Sequence, residues 1–201
     1  DETGSIILNA KVAEVQKATL IDGGETVEIK LGGGRVVQLQ GMYASGERTG
    51  VDYQFMTSDG FILTLDLPTS LKDENDQVKL DLFEGGFSAQ YVPEYDQTID
   101  FEDVSYIQTV MGINQINVHD KSGWVTHKLP DHITLLATGT SKTDQIYGDH
   151  DDNTLIARGG YASLVGNGGK DTFIVAEDAR RVLIIDNADT NEDGVDETGS
   201  I

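Results

Sequence analysis

The feature of the sequence that most constrains the fold is a nine-residue spacing of apolar residues in the last third of the chain. From Ala137 onward, apolar residues recur at Ile146, Leu155, Leu164 and Phe173. Each of the last four begins a stub of two or three strand-forming residues, and a six-residue turn precedes each stub. A strand this short can point one apolar side chain into a flat core before the turn reverses the chain. The spacing therefore predicts a parallel β-roll in which two nonapeptides complete one coil.

The turns of such a roll stack in two columns, because turns two nonapeptides apart lie on the same edge. Turns 148–153 and 166–171 share one edge, and turns 139–144 and 157–162 share the other. The last position of the four turns, in chain order, holds Asp144, Asn153, Ala162 and Asp171. Backbone carbonyls and a carboxylate between stacked turns form an oxygen cage, which is the coordination that calcium prefers. The spacing therefore predicts calcium binding at the first edge.

The predicted calcium site draws on residues from both turns of this first edge. They are Gly148, His150, Asp151, Asp152, Asn153, Gly166, Gly168 and Asp171. On the second edge Asp144 is a candidate ligand, but Ala162 offers no side-chain oxygen and Arg158 brings a positive charge. We therefore expect one good site and one weak one.

This register resembles the glycine-rich nonapeptide repeats of the RTX family, whose pattern is G-G-x-G-x-D-x-U-x with U a large apolar residue. The resemblance covers residues 137–175, and its best-formed copy is 166–173. Thr140, Asp149 and Arg158 stand where the pattern has its second glycine. The resemblance implies a calcium-binding tandem repeat unit of a large secreted or cell-surface bacterial adhesin or toxin. It also implies type I secretion, with folding outside the cell where calcium is abundant.

The chain before the roll, from residue 4 to 135, is patterned for β-structure. Apolar and polar residues alternate in several segments, and a period of two indicates a strand with one buried face. These segments are 27–31, 51–55, 61–67 and 78–82. Glycine-rich turns separate many of them, as in an antiparallel sandwich or barrel.

Together the patterns predict an all-β fold in three parts. An antiparallel β sandwich or barrel occupies residues 1–132, and a short parallel β-roll with its closing strand occupies residues 133–186. An acidic junction at 187–201 then leads into the next copy of the unit. Residues 1–6 and 196–201 have the same sequence, Asp-Glu-Thr-Gly-Ser-Ile, which indicates a tandem array of domain-sized units. A cloning or design artefact is the alternative.

The acidic junction carries a second candidate calcium site. Asp189, Asn191 and Asp193 follow the spacing of a calcium-binding loop, and Glu197 stands at its ninth position. Ser200 occupies the position of the bidentate glutamate of an EF-hand, and no helical pattern flanks the loop, so an EF-hand is excluded. A calcium site that stiffens the link between units and a solvated linker both remain open.

The net charge of the chain limits the classes of partner that it is expected to bind. Lys and Arg number 14 against 35 Asp and Glu, which gives a net charge of −21. Such a charge repels nucleic acid and anionic membranes, so we expect neither as a partner. The acidic side chains are suitable ligands for hard divalent cations. A solubility surface or a high-salt habitat would also explain the negative charge. Without cysteine the chain has no disulfide and no thiolate metal site, and no apolar run is long enough to span a membrane.

No catalytic constellation is visible in the sequence. The four histidines lack a third ligand at metal-site spacing, no G-x-S-x-G motif is present, and the acids after Pro93 read as a solvated loop. We therefore expect a non-catalytic module. The alternative is a recognition module for carbohydrate on a host-cell surface or glycan, formed by residues 9–130. Its candidate aromatics are Tyr43, Tyr53, Tyr91, Tyr95, Tyr106 and Trp124, although core positions would also explain them.

Overall fold

A computed structural model describes residues 2–186 and confirms the all-β fold. The chain divides into two compact units. The first comprises Asp1–Ala89 and Pro130–Thr134, and the second comprises Gln90–Leu129 and Leu135–Ile201. No helix in the described residues is long and apolar enough to cross a bilayer.

Strands dominate the described part of the chain. In chain order they are β1 (Glu2–Ile7), β2 (Thr19–Ile21), β3 (Thr26–Leu31), β4 (Arg35–Gln40), β5 (Tyr43–Ala44), β6 (Glu47–Arg48), β7 (Val51–Met56), β8 (Asp59–Leu65), β9 (Phe87–Asp96), β10 (Tyr106–Val110), β11 (Gln115–Asp120), β12 (Gly123–Lys128), β13 (Ile133–Leu135), β14 (Thr143–Tyr147), β15 (Thr154–Ala157), β16 (Tyr161–Val165), β17 (Thr172–Val175) and β18 (Arg181–Ile185). Short 3-10 helices lie between them at Val12–Glu14, Asp22–Gly24, Gly32–Gly34, Leu80–Leu82 and Phe101–Asp103.

The first unit is built on strands with one apolar face. Strands β2, β3 and β4 form an antiparallel sheet, and Val27, Ile29 and Leu31 of β3 are buried as their alternation predicts. Gly33, in the turn between β3 and β4, has a φ of 74°, which residues with a side chain rarely adopt. A five-stranded sheet has the order β1-β7-β8-β9-β13, and β5 pairs with β6. Strand β9 begins in the first unit and ends in the second.

Two features of the first unit differ from the sequence prediction. Strand β1 runs parallel to β7, with Ile6 opposite Phe55, whereas we expected antiparallel pairing. Parallel neighbours require a long connection, and residues 8–50 provide it. Segment 78–82 is not a strand: its three apolar side chains are 43–46% exposed. Alternation alone is insufficient there, because no neighbouring sheet covers the apolar face.

The second unit joins an antiparallel meander to the roll in one sheet. The strand order of this sheet is β12-β11-β10-β14-β16-β18, and strands β15 and β17 form a separate two-stranded sheet. Strand β10 runs parallel to β14, with Tyr106 opposite Thr143. Residues 90–129 therefore belong to the same compact unit as the roll. This division of the chain into units differs from the predicted boundary between residues 132 and 133. The physical reason is that the first strand of a roll has an open edge, which β10 covers.

The roll has the predicted register. Ile146 lies opposite Leu164 in one sheet, and Leu155 lies opposite Phe173 in the other, so equivalent positions stack two nonapeptides apart. These four side chains are buried together with Ala137 in one apolar cluster. Strand β18 closes the stack, with Ile184 opposite Leu164. The last coil is thus two residues longer than the coil from Ile146 to Leu164.

Candidate calcium site

The turns 148–153 and 166–171 stack on one edge of the roll, as the register predicts. The Gly168 N–H donates to the Asp149 carbonyl at 3.0 Å, and the Thr172 N–H donates to the Asn153 carbonyl at 2.8 Å. The Asn167 side-chain amide also donates to the Gly148 carbonyl at 2.8 Å. These bonds fix the spacing between the turns, so the oxygen atoms on their facing sides are held close together.

Asp171 is the centre of this edge. The residue has no exposed surface, and its Oδ1 accepts a hydrogen bond from the Asn153 N–H at 2.9 Å. Its Oδ2 is also buried and accepts no hydrogen bond from any of residues 2–186. Burial raises the pKa of Asp171, and nearby acidic side chains raise it further. The hydrogen bond from the Asn153 N–H lowers this pKa but does not offset the rise. A buried carboxylate oxygen without a donor is costly, and a bound proton or cation removes the cost.

Two glycines leave room for oxygen atoms around Asp171. A Cβ atom added to Gly166 would collide with Asp171 Oδ2 and would lie 2.9 Å from Asp186 Oδ1. A Cβ atom added to Gly148 would collide with the Gly166 carbonyl oxygen and with Asn153 Oδ1. Both positions therefore require glycine because oxygen atoms occupy the space where a side chain would be.

This oxygen set fits calcium. Asp171 and Asp186 contribute carboxylates, Asn153 an amide oxygen and Gly166 a carbonyl oxygen, and all of these are ligands that calcium takes. The described residues contain no group of three or more His, Cys, Asp or Glu side chains placed to hold a metal. Any ion at this edge therefore depends on backbone and asparagine oxygens as well as on carboxylates.

Three other predicted ligands lie at the rim of the edge. His150, Asp151 and Asp152 are exposed. Asp152 Oδ1 accepts a hydrogen bond from the Lys170 N–H at 2.7 Å, which ties the two turns together. His150 Nδ1 lies beside Gly168, where an added Cβ atom would be 3.0 Å from it. An imidazole nitrogen is a poor ligand for a hard cation, so His150 suits a packing role at Gly168.

Two residues of this edge were missed in the sequence prediction. Asp149 stands at a glycine position of the repeat pattern, and its Oδ1 accepts hydrogen bonds from the Asp151 N–H at 2.9 Å and the Asn153 side-chain amide at 3.1 Å. Asp186 follows the closing strand, where the Gly166 N–H donates to the Ile185 carbonyl at 2.9 Å. Extending the stacking register one step beyond that strand would have placed Asp186 next to Gly166.

The second edge of the roll is organised differently. Asp144 is buried, and its two oxygens accept hydrogen bonds from the Thr140 N–H at 2.6 Å and the Thr140 hydroxyl at 2.7 Å. Its register partner in the next coil is Ala162. Burial raises the pKa of Asp144 to about 6. Asp144 therefore closes its own turn, and the stacked turn adds no side-chain oxygen at that register position.

His127 and His132 have structural surroundings. His127 Nε2 lies 2.8 Å from Asp96 Oδ2, and the Tyr91 hydroxyl donates to the same oxygen at 3.1 Å. Burial opposes ionisation of Asp96, but hydrogen bonds from His127 and Thr98 hold its pKa below the usual range. His132 Nε2 lies 2.9 Å from the Val15 carbonyl oxygen. This buried network explains His127 without a metal or a substrate.

The six aromatic candidates for ligand recognition differ in exposure, and Tyr53 and Tyr106 are half-buried. Tyr43 and Tyr91 are buried, whereas Tyr95 and Trp124 are exposed. Tyr53 lines an open groove of about 980 Å³ in the first unit, together with both acidic and basic side chains. That groove mixes charges of both signs, so its electrostatics select no class of ligand.

Part of the prediction lies outside the described residues. The candidate loop of Asp189, Asn191, Asp193 and Glu197 belongs to this part, as does the repeated hexapeptide at 196–201. No protein-family model, curated protein or solved structure matches the chain.

Proposed function

We propose that this chain is a non-catalytic, calcium-stabilised repeat module of a large secreted or cell-surface bacterial protein of RTX type. The observation that carries the proposal is the buried Asp171 Oδ2, which lacks a hydrogen-bond donor among residues 2–186. Asp171, Asn153, Gly166 and Asp186 would hold the ion. When bound, calcium supplies the positive charge that neutralises the clustered carboxylates.

The same chemistry makes folding depend on the compartment. Where calcium is scarce, the carboxylates at the Asp171 edge repel one another, and the net charge of −21 adds to this repulsion. Where calcium exceeds its Kd, binding stabilises the folded state by RT ln(1 + [Ca]/Kd). Extracellular calcium modules have Kd values of about 10⁻⁴ to 10⁻³ M. Such a module stays loose in the cytosol, passes a type I secretion channel and folds outside the cell.

The module serves as a structural or adhesive extension in an array of copies. The identical hexapeptides at residues 1–6 and 196–201 support this proposal. Residues 2–7 of the first copy form strand β1, which pairs with β7 in the first unit.

Substitution of Asp171 tests the calcium proposal. In wild type, calcium at a hundred times its Kd is expected to stabilise the fold by about 2.7 kcal/mol. Asp171→Asn removes the charge that the ion neutralises, so calcium should no longer raise the melting temperature. Circular dichroism melts in EDTA and in excess calcium measure both states.

The matched control is Asp144→Asn, which changes a buried aspartate on the other edge and should keep the calcium response. Without calcium, Asp171→Asn should be no less stable than wild type, because it removes an unpaired buried charge. A wild-type melt that is the same in EDTA and in calcium would contradict the proposal. So would an Asp171→Asn variant that keeps the full calcium response.

A further inference from the structure

The outer face of the six-stranded sheet in the second unit carries no acidic residue. The registers align its outward side chains in three rows across β12, β11, β10, β14, β16 and β18. The outermost of these rows holds Lys128, Gln115, Val110, Tyr147, Val165 and Ile185. Inward neighbours such as Ile107, Ile146 and Leu164 are buried, which fixes the direction of the outward residues. In a chain with 35 acids, an acid-free surface of this size is unexpected. It indicates a partner that is not a cation.

One row of this face is aromatic. From β12 to β18 the row reads Trp124, His119, Tyr106, Thr143, Tyr161 and Arg181. Trp124 is 57% exposed and Tyr161 is 53% exposed. The Trp124 ring is held edge-on by the rings of His119 and Tyr106, at centroid distances of 5.0 Å and 5.7 Å. The indole is therefore presented to solvent in a fixed orientation, which lowers the entropy cost of binding.

The next row is a ladder of neutral polar side chains. It comprises Thr126, Asn117, Gln108, Gln145 and Ser163, and it ends at Leu183. The Asn117 amide donates to Gln108 Oε1 at 2.8 Å, and the Thr126 hydroxyl donates to Asn117 Oδ1 at 3.1 Å. Asn117 Oδ1 also accepts from the Gln115 amide, and Gln145 Oε1 accepts from the Tyr106 hydroxyl and the Gln108 amide. The bonding capacity that remains therefore lies mainly in the amide N–H groups, each amide having two donors. These groups suit the hydroxyls of a sugar, which are both donors and acceptors.

The two rows also border a groove of about 370 Å³. Its outward lining includes Tyr106, Gln145, Tyr161, Ser163 and Leu183. The buried Asp144, which belongs to the inward row, also lines it. Strands β10 and β16 are separated by β14, so Tyr106 and Tyr161 are about 10 Å apart along the row. This spacing is close to the length of a disaccharide. An aromatic row beside an amide row can therefore contact successive sugar rings of a chain that crosses the strands.

We propose that this face binds a neutral polysaccharide. The aromatic rings would pack on the C–H faces of the sugar rings, and the amides would bond the hydroxyl edges. The basic groups of the face, Arg181 and Lys128, lie at opposite corners, so the face lacks the basic cluster that nucleic acid requires. The polar middle row also differs from the apolar centre of a stable protein interface.

The proposal goes beyond the calcium function and uses strands that the carbohydrate hypothesis for residues 9–130 did not include. Strands β14, β16 and β18 belong to the roll, so binding is measured in saturating calcium to keep the two proposals separate. If the calcium proposal fails, the Asp171→Asn melts show it without any sugar. If the sugar proposal fails, the calcium response of the same protein is unchanged.

Affinity electrophoresis of the whole chain in gels containing one polysaccharide each provides the test. The neutral probes are barley mixed-linkage glucan, xyloglucan, galactomannan and dextran, and the anionic probes are alginate and heparin. We expect retardation by at least one neutral probe that persists in high salt. Trp124→Ala and Tyr161→Ala should each weaken binding about tenfold, which corresponds to the loss of one aromatic contact of about 1.4 kcal/mol.

Tyr95→Ala is the control, because Tyr95 is an exposed aromatic on β9, which belongs to a different sheet. All three variants should keep the wild-type melting temperature in calcium, which shows that they fold. The proposal is overturned if no neutral probe retards the protein, or if retardation occurs only with the anionic probes. It is also overturned if Trp124→Ala binds as wild type does, or if the face holds two copies of the chain together in sedimentation analysis.

Discussion

At the scale of single residues, the two buried aspartates of the roll show how environment divides one residue type into two roles. Asp144 has hydrogen-bond donors from Thr140 on both of its oxygens. Asp171 has a donor on Oδ1 alone among residues 2–186. Asp144 is thus fully hydrogen-bonded within its own turn, whereas Asp171 keeps one buried oxygen without a donor, which a bound proton or cation would offset. The sequence places both at the sixth turn position, and only the local donors distinguish them.

The ionisation of Asp144 gives a pH dependence with a definite sign. Its pKa is about 6 in the folded protein and about 3.9 in the unfolded chain. Between these two pH values the folded state binds the proton more tightly than the unfolded chain does. The contribution of this protonation to the free energy of unfolding is fully present below about pH 4 and is lost as the pH rises through about 6. The loss is on the order of 3 kcal/mol.

Urea denaturation in calcium-free buffer between pH 4 and 7 measures this effect. Asp144→Asn does not ionise, so its stability should fall less over this range than that of wild type. Other groups, including Asp171, titrate equally in both proteins and cancel in the difference. Parallel stability curves for the two proteins would show that Asp144 is not responsible.

At the scale of elements, the roll is a thin structure that depends on few apolar side chains. Leu155 on β15 is fully buried in the apolar cluster, whereas Ile174 on β17 is 42% exposed. Leu155→Ala should destabilise the second unit by about 2–5 kcal/mol, because it leaves a cavity that the short strands cannot close. Ile174→Ala should change stability by no more than about 0.5 kcal/mol. Chemical denaturation of both variants in calcium checks this, and equal losses would contradict the assigned faces.

The elements also show what could be predicted from the sequence. A nine-residue register fixes which residues stack, so the pairing of Ile146 with Leu164 followed directly from spacing. The parallel pairing of β10 with β14 did not, because a contact between distant segments leaves no local pattern. Segment 78–82 had the right alternation but no sheet to cover it. Asp186 was missed because the last coil is two residues longer than the one before.

At the scale of the whole molecule, the two units have different sources of stability. The first unit has a conventional core with large buried side chains such as Phe55, Phe61 and Leu63. The second unit includes the roll, whose edge at Asp171 holds a buried carboxylate oxygen that accepts no hydrogen bond from residues 2–186. Calcium should therefore increase the stability of the second unit and leave the stability of the first unit unchanged. The acid-free sheet face lies in the second unit, so calcium would also control the stability of the proposed sugar-binding surface.

Hydrogen exchange measured by mass spectrometry, with and without calcium, tests this account most directly. In wild type, peptides that cover β15 and β17 should exchange more slowly once calcium is added, whereas peptides that cover β3 should not change. In Asp171→Asn, the β15 and β17 peptides should exchange at the same rate in both conditions. Equal protection of β15 and β17 in wild type with and without millimolar calcium would contradict the account.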